Sequence, residues 1–435
     1  MRRGTRAASG AASSKSSAGA ERRPGKSRPP LPGGSDPRRE LLLTLLKVGL
    51  ERVEGRRCVR GALERLAPPR SPVWLAAVGK AAESMTLGAY DALSSAIERA
   101  LLITRDAPAS AELRARAGLE VILGAHPLPD ERSLAAGERL LGWVASLPPT
   151  VQPLFLISGG ASSLVEVPEA GVTLQDLESL TRRSFAEGIA IGELNEKRAA
   201  LSRIKGGRLA SRLGGRPALA LFISDVPEDD PRVIGSGLMG AAGGGDAVER
   251  RIVASVDHAV AAVAGAAAGL GLTVQASAQR FAGDAVRLAS RFAHELRVSA
   301  AQLCVWGGES TVRLPPVPGR GGRNQHLALA AARAIAGHAD LLLLAAGTDG
   351  VDGVTEDAGA LVDAGSCARC ALAELDVERC LEQADAARAL EASGDLVHTG
   401  PTGTNVGDLV IGLKLAGDAA HGLRALRGGA RSRVL

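Results

Sequence analysis

Short apolar runs alternate along this chain with stretches whose apolar residues recur every three or four positions, a pattern that predicts strands separated by helices. The stretch 38–53, RRELLLTLLKVGLERV, has helical spacing, and VWLAAVGKAA (73–82) reads as a strand entering a Gly-Lys turn. ALLITRD (100–106) and LEVILGAH (119–126) read as strands. DERSLAAGERLLGWVASL (130–147) reads as a helix with Asp130 at its N-cap. A strand at 154–158, helical spacing from 174 to about 212, a strand at 217–224 and an alanine-rich helix at 249–270 continue the rhythm. Such alternation implies a doubly wound, mainly parallel sheet.

Near Ser299 the rhythm changes. AAQLCVWGGESTVRL (300–314) reads as strand, glycine turn and strand; a helix at 325–337, a strand at 341–346 and the closing strand LVIGLKL (409–415) follow. The expected fold is α/β, with a doubly wound domain over 37–298 and a smaller α/β domain over 299–418. Tails are expected at 1–36 and 419–435, and 435 residues suffice for two cores.

Charge changes the picture only at the amino terminus. Residues 1–36 hold eight Lys or Arg against two Asp or Glu, which leaves 44 basic against 45 acidic residues in the remainder. Leu31 is the only large apolar residue of that segment besides Met1, so it reads as a disordered extension with the composition of a transit peptide. The nearly neutral remainder, with one Tyr, three Trp and five Phe, lacks the stacking surface of a nucleic-acid binder. Five cysteines form no disulfide framework, and the CxxC of Cys367 and Cys370, with Cys380 beyond it, lacks a fourth zinc ligand. Reduced thiols in a cytoplasmic protein are expected. The run 259–274 is too short and too rich in Ala and Gly for a membrane span.

Candidate chemistry sits where strands end. At the carboxyl ends of parallel strands, loop residues reach the crevice in which open α/β sheets bind ligands. Asp225 follows ALALFI, SGGASS (158–163) follows VQPLFLI, and Asp349 and Asp352 follow LLLLAAG. Lys80 stands after a strand and a glycine, at the start of a helix, where a cation meets a phosphate or carboxylate. Ser158, Gly159, Gly160 and Ser162 combine glycines that let backbone approach an anion with hydroxyls. Lys205, Gly206 and Gly207 break a helical pattern in LSRIKGGRLA. In GRGGRNQ (319–325), Arg320 and Arg323 flank glycines, and the planar guanidinium matches phosphate and carboxylate. Asp225, Glu309, Asp349 and Asp352 are candidate magnesium ligands, because phosphoryl-transfer sites hold Mg2+ with one or two carboxylates plus phosphate. GSGLMG (235–240) fits GxGxxG but lies ten residues past Asp225, which separates it from the strand that a dinucleotide fingerprint requires.

These motifs together resemble the type II glycerate kinases, the family whose carboxy-terminal half is called MOFRL. The resemblance is carried by GKAAESM (79–85), HPLPDERS (126–133), SGGASSLVEVP (158–168), LSRIKGGRLA (201–210), SDVPEDDPRVIGSG (224–237), GGESTV (307–312), GRGGRNQ (319–325), GTDGVDGVTEDAGA (347–360) and GTNVGDL (403–409), in family order. It implies a Rossmann-like amino-terminal domain, a smaller MOFRL domain and an active site in the cleft between them. It implies phosphorylation of D-glycerate to 2-phosphoglycerate with ATP and Mg2+, in a monomer or homodimer without nucleic-acid or membrane partners. Lys80 falls on the family's active-site lysine, and Arg323 or Arg320 on its arginine; Asp225 and Asp349 join them, and Asn405 comes from GTNVGDL. The chain departs from the family pattern at Ala161, at NEK (195–197), at Gln325-His326 and at SGLMGAAGGGD (236–246). The rival readings are a hydroxypyruvate reductase and a catalytically weakened sugar-acid-binding relative.

Overall fold

A computed structural model of the protein describes residues 36–187, 191–241 and 247–416, with only the backbone at 181, 184–187 and 191–195. The expected tails, the Asn195 side chain and positions 242–246 of the glycine-rich segment lie outside the described residues.

Among the described residues, strands β1 (Val73–Val78), β2 (Ile97–Thr104), β3 (Leu119–Leu123), β4 (Gln152–Ile157), β5 (Ala218–Ile223) and β6 (Val248–Ala254) form one parallel sheet in the order β3-β2-β1-β4-β5-β6. This is the order of two βαβαβ halves joined back to back, and its direction reverses between β1 and β4. Both faces are covered, so β1 and β5 are apolar and buried throughout rather than alternating. Trp74, Ala76 and Val78 enter one core with Phe155, Ile157 and Trp143. Val73, Leu75 and Ala77 enter the other with Leu154, Leu156 and Leu221. Asp130 caps the helix Glu131–Ala145, as expected. β6 takes the place of about the first two turns of the helix expected at 249–270, which begins only at Val256. The segment VERRIVA pairs on the sheet's edge, where charged side chains face outward.

The second sheet is mixed. It comprises β7 (Val274–Ala276), β8 (Phe281–Asp284), β9 (Leu303–Thr311), β10 (Leu341–Gly347), β11 (Gly359–Asp363), β12 (Leu396–Val397) and β13 (Asp408–Lys414), in the order β12-β11-β10-β13-β9-β7, with β8 also on β9. Helices Ala285–Val298 and Arg323–Ala334 cover one face. Pro37–Val53 and Val256–Gly269 cover the other, where Leu42, Leu45 and Leu46 pack with Leu409, Ile411 and Leu413. The helix Val256–Gly269 joins the two halves, because Val256 and Ala259 belong to the first sheet's core while Val260, Val263 and Ala267 belong to the second's. Two strands of the second sheet, β7 and β8, thus precede Ser299.

The expected glycine turn inside 300–314 is absent: β9 runs unbroken through Gly307 and Gly308. These glycines serve close approach instead. A Cβ on Gly307 would lie 2.6 Å from Val256 Cγ2, and one on Gly308 would lie 2.1 Å from the Phe281 carbonyl oxygen. Gly308→Ala must push β8 off β9, and we expect a loss of about 1–3 kcal/mol in unfolding free energy. Urea denaturation measures it; an unshifted midpoint would show that the strand pair tolerates a side chain there.

Candidate active site

Two turns meet at the point where the strand order reverses. Gly79 leaves β1 at φ +133°, which side-chain-bearing residues rarely adopt, and a Cβ there would sit 2.1 Å from Ser158 Oγ. The closeness allows the Lys80 N–H to donate to the Gly159 carbonyl at 2.9 Å and the Ala81 N–H to donate to Ser158 Oγ at 3.1 Å. The turns after β1 and β4 are therefore one hydrogen-bonded unit. From it the Lys80 ammonium reaches Asp349, at the end of β10 in the second sheet, with Nζ 2.9 Å from Oδ2.

Asp225, two residues past β5, lies over the same unit. A Cβ on Gly159 would stand 2.1 Å from Asp225 Oδ2 and 2.3 Å from Asn405 Nδ2, and that amide donates to Asp225 Oδ2 at 3.3 Å. Burial pushes the Asp225 carboxyl up to about 6 and the charge of Glu309 adds to the push, while Lys80 and Arg323 oppose it. Thr348 fastens the Asn405 loop beside Asp349. Its hydroxyl donates to the Gly407 carbonyl at 2.7 Å and accepts from the Val406 N–H at 2.9 Å, and its carbonyl accepts from the Thr402 hydroxyl at 2.5 Å.

Of the two arginines left open by sequence, Arg323 joins this cluster and Arg320 does not. Arg320 pairs with Glu391, and its N–H donates to Asp385 at 2.8 Å. Arg323 grips Asp408 with Nε at 2.8 Å from Oδ2 and Nη2 at 3.0 Å from Oδ1, and also pairs with Glu309. Asp408 is buried, which pushes its carboxyl up; Arg323 and an Asn324 amide donating at 2.9 Å work against this. Asp352 has a structural task. It caps the helix Arg323–Ala334 by accepting the Asn324 and Gln325 N–H groups at 3.1 and 2.7 Å, and burial lifts it to about 7 despite those donors.

Among the described residues, no three His, Cys, Asp or Glu side chains gather as a metal cage. A magnesium ion delivered with a phosphate needs fewer protein ligands. Asp352 is committed to the helix cap and Glu309 to Arg323, whereas the side-chain partner of Asp349 is only the flexible Lys80 ammonium and that of Asp225 only the Asn405 amide among the described residues. Asp349, a hard oxygen donor at a strand end, is the carboxylate that best fits the cation.

The Lys205-Gly206-Gly207 stretch is occupied otherwise. The Lys205 ammonium and Glu166 form a buried ion pair, and the Gly206 and Gly207 N–H groups donate to the Ser236 and Gly237 carbonyls at 2.9 and 2.7 Å. These amides are not available to a phosphate in this arrangement. Ser162 is partly exposed, next to Ser163, whose hydroxyl donates to the Pro127 carbonyl at 2.7 Å. Sequence reasoning passed over His126, Asp408 and Asn324. All three lie inside the motifs that carry the family resemblance, HPLPDERS, GRGGRNQ and GTNVGDL, but none of them was singled out there as a site residue.

Fold and cleft together define a two-sheet α/β protein whose polar groups converge at the reversal point of its parallel sheet. The model of a domain of unknown function, DUF4147, matches residues 41–264, and that of the MOFRL family matches 302–408. A D-glycerate 2-kinase of Thermotoga maritima is 33% identical over 414 residues, covering 86% of this chain and 98% of the relative. A putative hydroxypyruvate reductase of Agrobacterium vitis is 34% identical, covering 78% of this chain and 87% of that one. The crystal structure of glycerate kinase from Thermotoga maritima superposes with a TM-score of 0.77 at 31% identity, covering 86% of this chain and 99% of that chain. The chain belongs to the glycerate kinase family.

The Lys205–Glu166 pair is buried within the first half of the chain. Burial pulls the Lys205 ammonium toward its neutral form and Glu166 opposes that pull. Glu166→Ala would strand a buried ammonium, and we expect about 3–5 kcal/mol of destabilisation in chemical denaturation. A loss below about 1 kcal/mol would mean that water or another group compensates Lys205.

Proposed function

We propose that the protein transfers the γ-phosphoryl group of ATP to the 2-hydroxyl of D-glycerate, giving 2-phosphoglycerate. The observation that carries this reading is the convergence of Lys80, Asp225, Asp349 and Asn405 from both sheets, in a chain that spans 98% of a D-glycerate 2-kinase. Phosphoryl transfer asks a protein for positioning and for charge facing the transferring group, more than for covalent chemistry. Lys80 and Arg323 supply positive charge that acts on Asp225. Gly159 and Gly160, with the partly exposed Ser162, line the turn that would take phosphate oxygens, while the buried Ser158 hydroxyl holds that turn to the Ala81 N–H.

Asp225 is the proton acceptor. Its carboxyl, pushed up to about 6, accepts from the Asn405 amide and pairs with no cation among the described residues. This suits it to take the proton of the attacking hydroxyl near neutral pH. Asp349, paired with Lys80, is the principal carboxylate for magnesium, which when bound would neutralise charge on the phosphates. Asp408 and Glu309 hold the Arg323 guanidinium in place. The protein acts in the cytoplasm.

The names of the Agrobacterium relatives favour a second reading, hydroxypyruvate reduction. The turn after β1 argues against it. A dinucleotide fingerprint there needs GxGxxG, and this chain has Gly79-Lys80-Ala81-Ala82.

Purified protein with D-glycerate, Mg-ATP and enolase, but no mutase, is expected to form phosphoenolpyruvate at the rate of ATP consumption. Product that appears only after a mutase is added would place the phosphate on the 3-hydroxyl instead, and NADH oxidation with hydroxypyruvate would support the reductase. The pH dependence follows from Asp225. Because its carboxyl is raised to about 6, it is ionised above that pH and protonated below it, so kcat/KM for glycerate should fall tenfold per pH unit on the acid side of about 6. Asp225→Asn should abolish this limb along with most turnover; a limb that survives in the variant would assign the base elsewhere.

A further inference from the structure

Among the described residues, His126 is a titratable side chain at the meeting of the two turns that the proposed transfer leaves without a task. A Cβ on Gly160 would lie 3.1 Å from its Cδ2, 3.3 Å from its Nε2 and 3.2 Å from Lys80 Cγ, so the imidazole and the Lys80 stem flank Gly160 together. The ring is partly exposed, and neither ring nitrogen has a hydrogen-bond partner among the described residues. A half-buried imidazole beside a substrate turn, with both nitrogens open, is poised for a ligand rather than for the core. It is also neutral, since burial, and then the charges of Lys80 and Arg105, pull its pKa down to about 4 against the influence of Asp349.

Neutrality narrows what the ring can bind. Anionic oxygens are served by the Lys80 ammonium and the Arg323 guanidinium, which already pair with Asp349 and Asp408. A neutral imidazole carries one donor and one acceptor nitrogen, the complement of a hydroxyl group, which likewise donates and accepts. D-glycerate has two hydroxyls, and on the reading above only the 2-hydroxyl faces Asp225. Taking that reading as given, we propose that His126 recognises the hydroxyl that is not phosphorylated, and thereby sets the preference for a 2,3-dihydroxy acid over a simple 2-hydroxy acid. A site that hydrogen-bonds a substrate hydroxyl discriminates strongly against the analogue lacking it, because its own polar group is then left unpaired.

D-Lactate has the configuration of D-glycerate with a methyl in place of the hydroxymethyl group, and it isolates this contact. It is followed as a substrate or, where turnover is too slow, as a competitive inhibitor against glycerate. His126→Ala should lower kcat/KM for D-glycerate about 10–100-fold while leaving the lactate value within about twofold, so that the preference itself collapses. His126→Gln, whose amide nitrogen reaches where Nε2 stood, should retain part of the preference, and the KM for ATP should not move in either variant. Equal losses on both acids, no loss on either, or a change confined to the KM for ATP would overturn the proposal. Wild-type protein inactive on D-glycerate would overturn the activity reading itself, and that result is separable because it precedes any substitution.

Discussion

The site depends on a backbone contact. β1 and β4 are neighbours with Val78 opposite Ile157, so both strands end at the same height, and the chain leaves them in opposite directions. Only because Gly79 has no side chain can its turn press against Ser158, and only then does the Lys80 N–H meet the Gly159 carbonyl. That bond fixes where the Lys80 side chain starts, and a starting point fixed by backbone is what lets a long, flexible side chain reach Asp349 on the other sheet. Gly159 acts similarly toward the other partner, by leaving room for Asp225 and Asn405.

Charge is crowded around this contact. Asp225, Asp349, Glu309, Asp352 and Asp408 gather with Lys80 and Arg323, and burial, with the charges of Lys80, Arg105 and Arg198, pushes the half-buried His126 toward its neutral form. Burial would make so many carboxylates costly if all were ionised and unpaired. The structure relieves the excess in three ways. Asp408 is gripped by Arg323 and Asn324, Asp352 accepts helix N–H groups, and the Asp225 carboxyl is raised toward neutrality. What remains is a cleft with carboxylate oxygen to spare, which suits an acceptor hydroxyl and a cation arriving with phosphate.

Legibility in the sequence followed the physics of each element. β1 and β5 were plain because a strand buried on both faces is apolar at every position, and the helix Glu131–Ala145 because Asp130 announces its start. β6 was hidden: an edge strand carries charges on its open side, so VERRIVA resembles the start of the helix after it. Gly307 and Gly308 were misread as a turn, since a glycine needed for close approach and a glycine needed for a reversal are the same letter. Lys205 and Arg323 are both basic residues beside glycines, although GRGGRNQ is the more specific of the two motifs. One is buried against Glu166, and the other stands in the cleft.

The alternation of strands and helices from β1 to β5, the strand β10, and the loops that carry Lys80, Asp225 and Asp349 were determined by the sequence alone, because burial and local hydrogen bonding act over a few neighbouring residues. Which of those loops meet was decided by the tertiary structure. Lys80 and Asp349 are 269 residues apart, and Asn405 and Asp225 are 180 apart. Their encounter is set by strand order and by the helix Val256–Gly269 that holds the two sheets together, and no local pattern encodes either. The same long-range packing decided which carboxylates are free to act and which are spent on helix ends and arginines, since desolvation and pairing depend on neighbours that the chain brings in from far away.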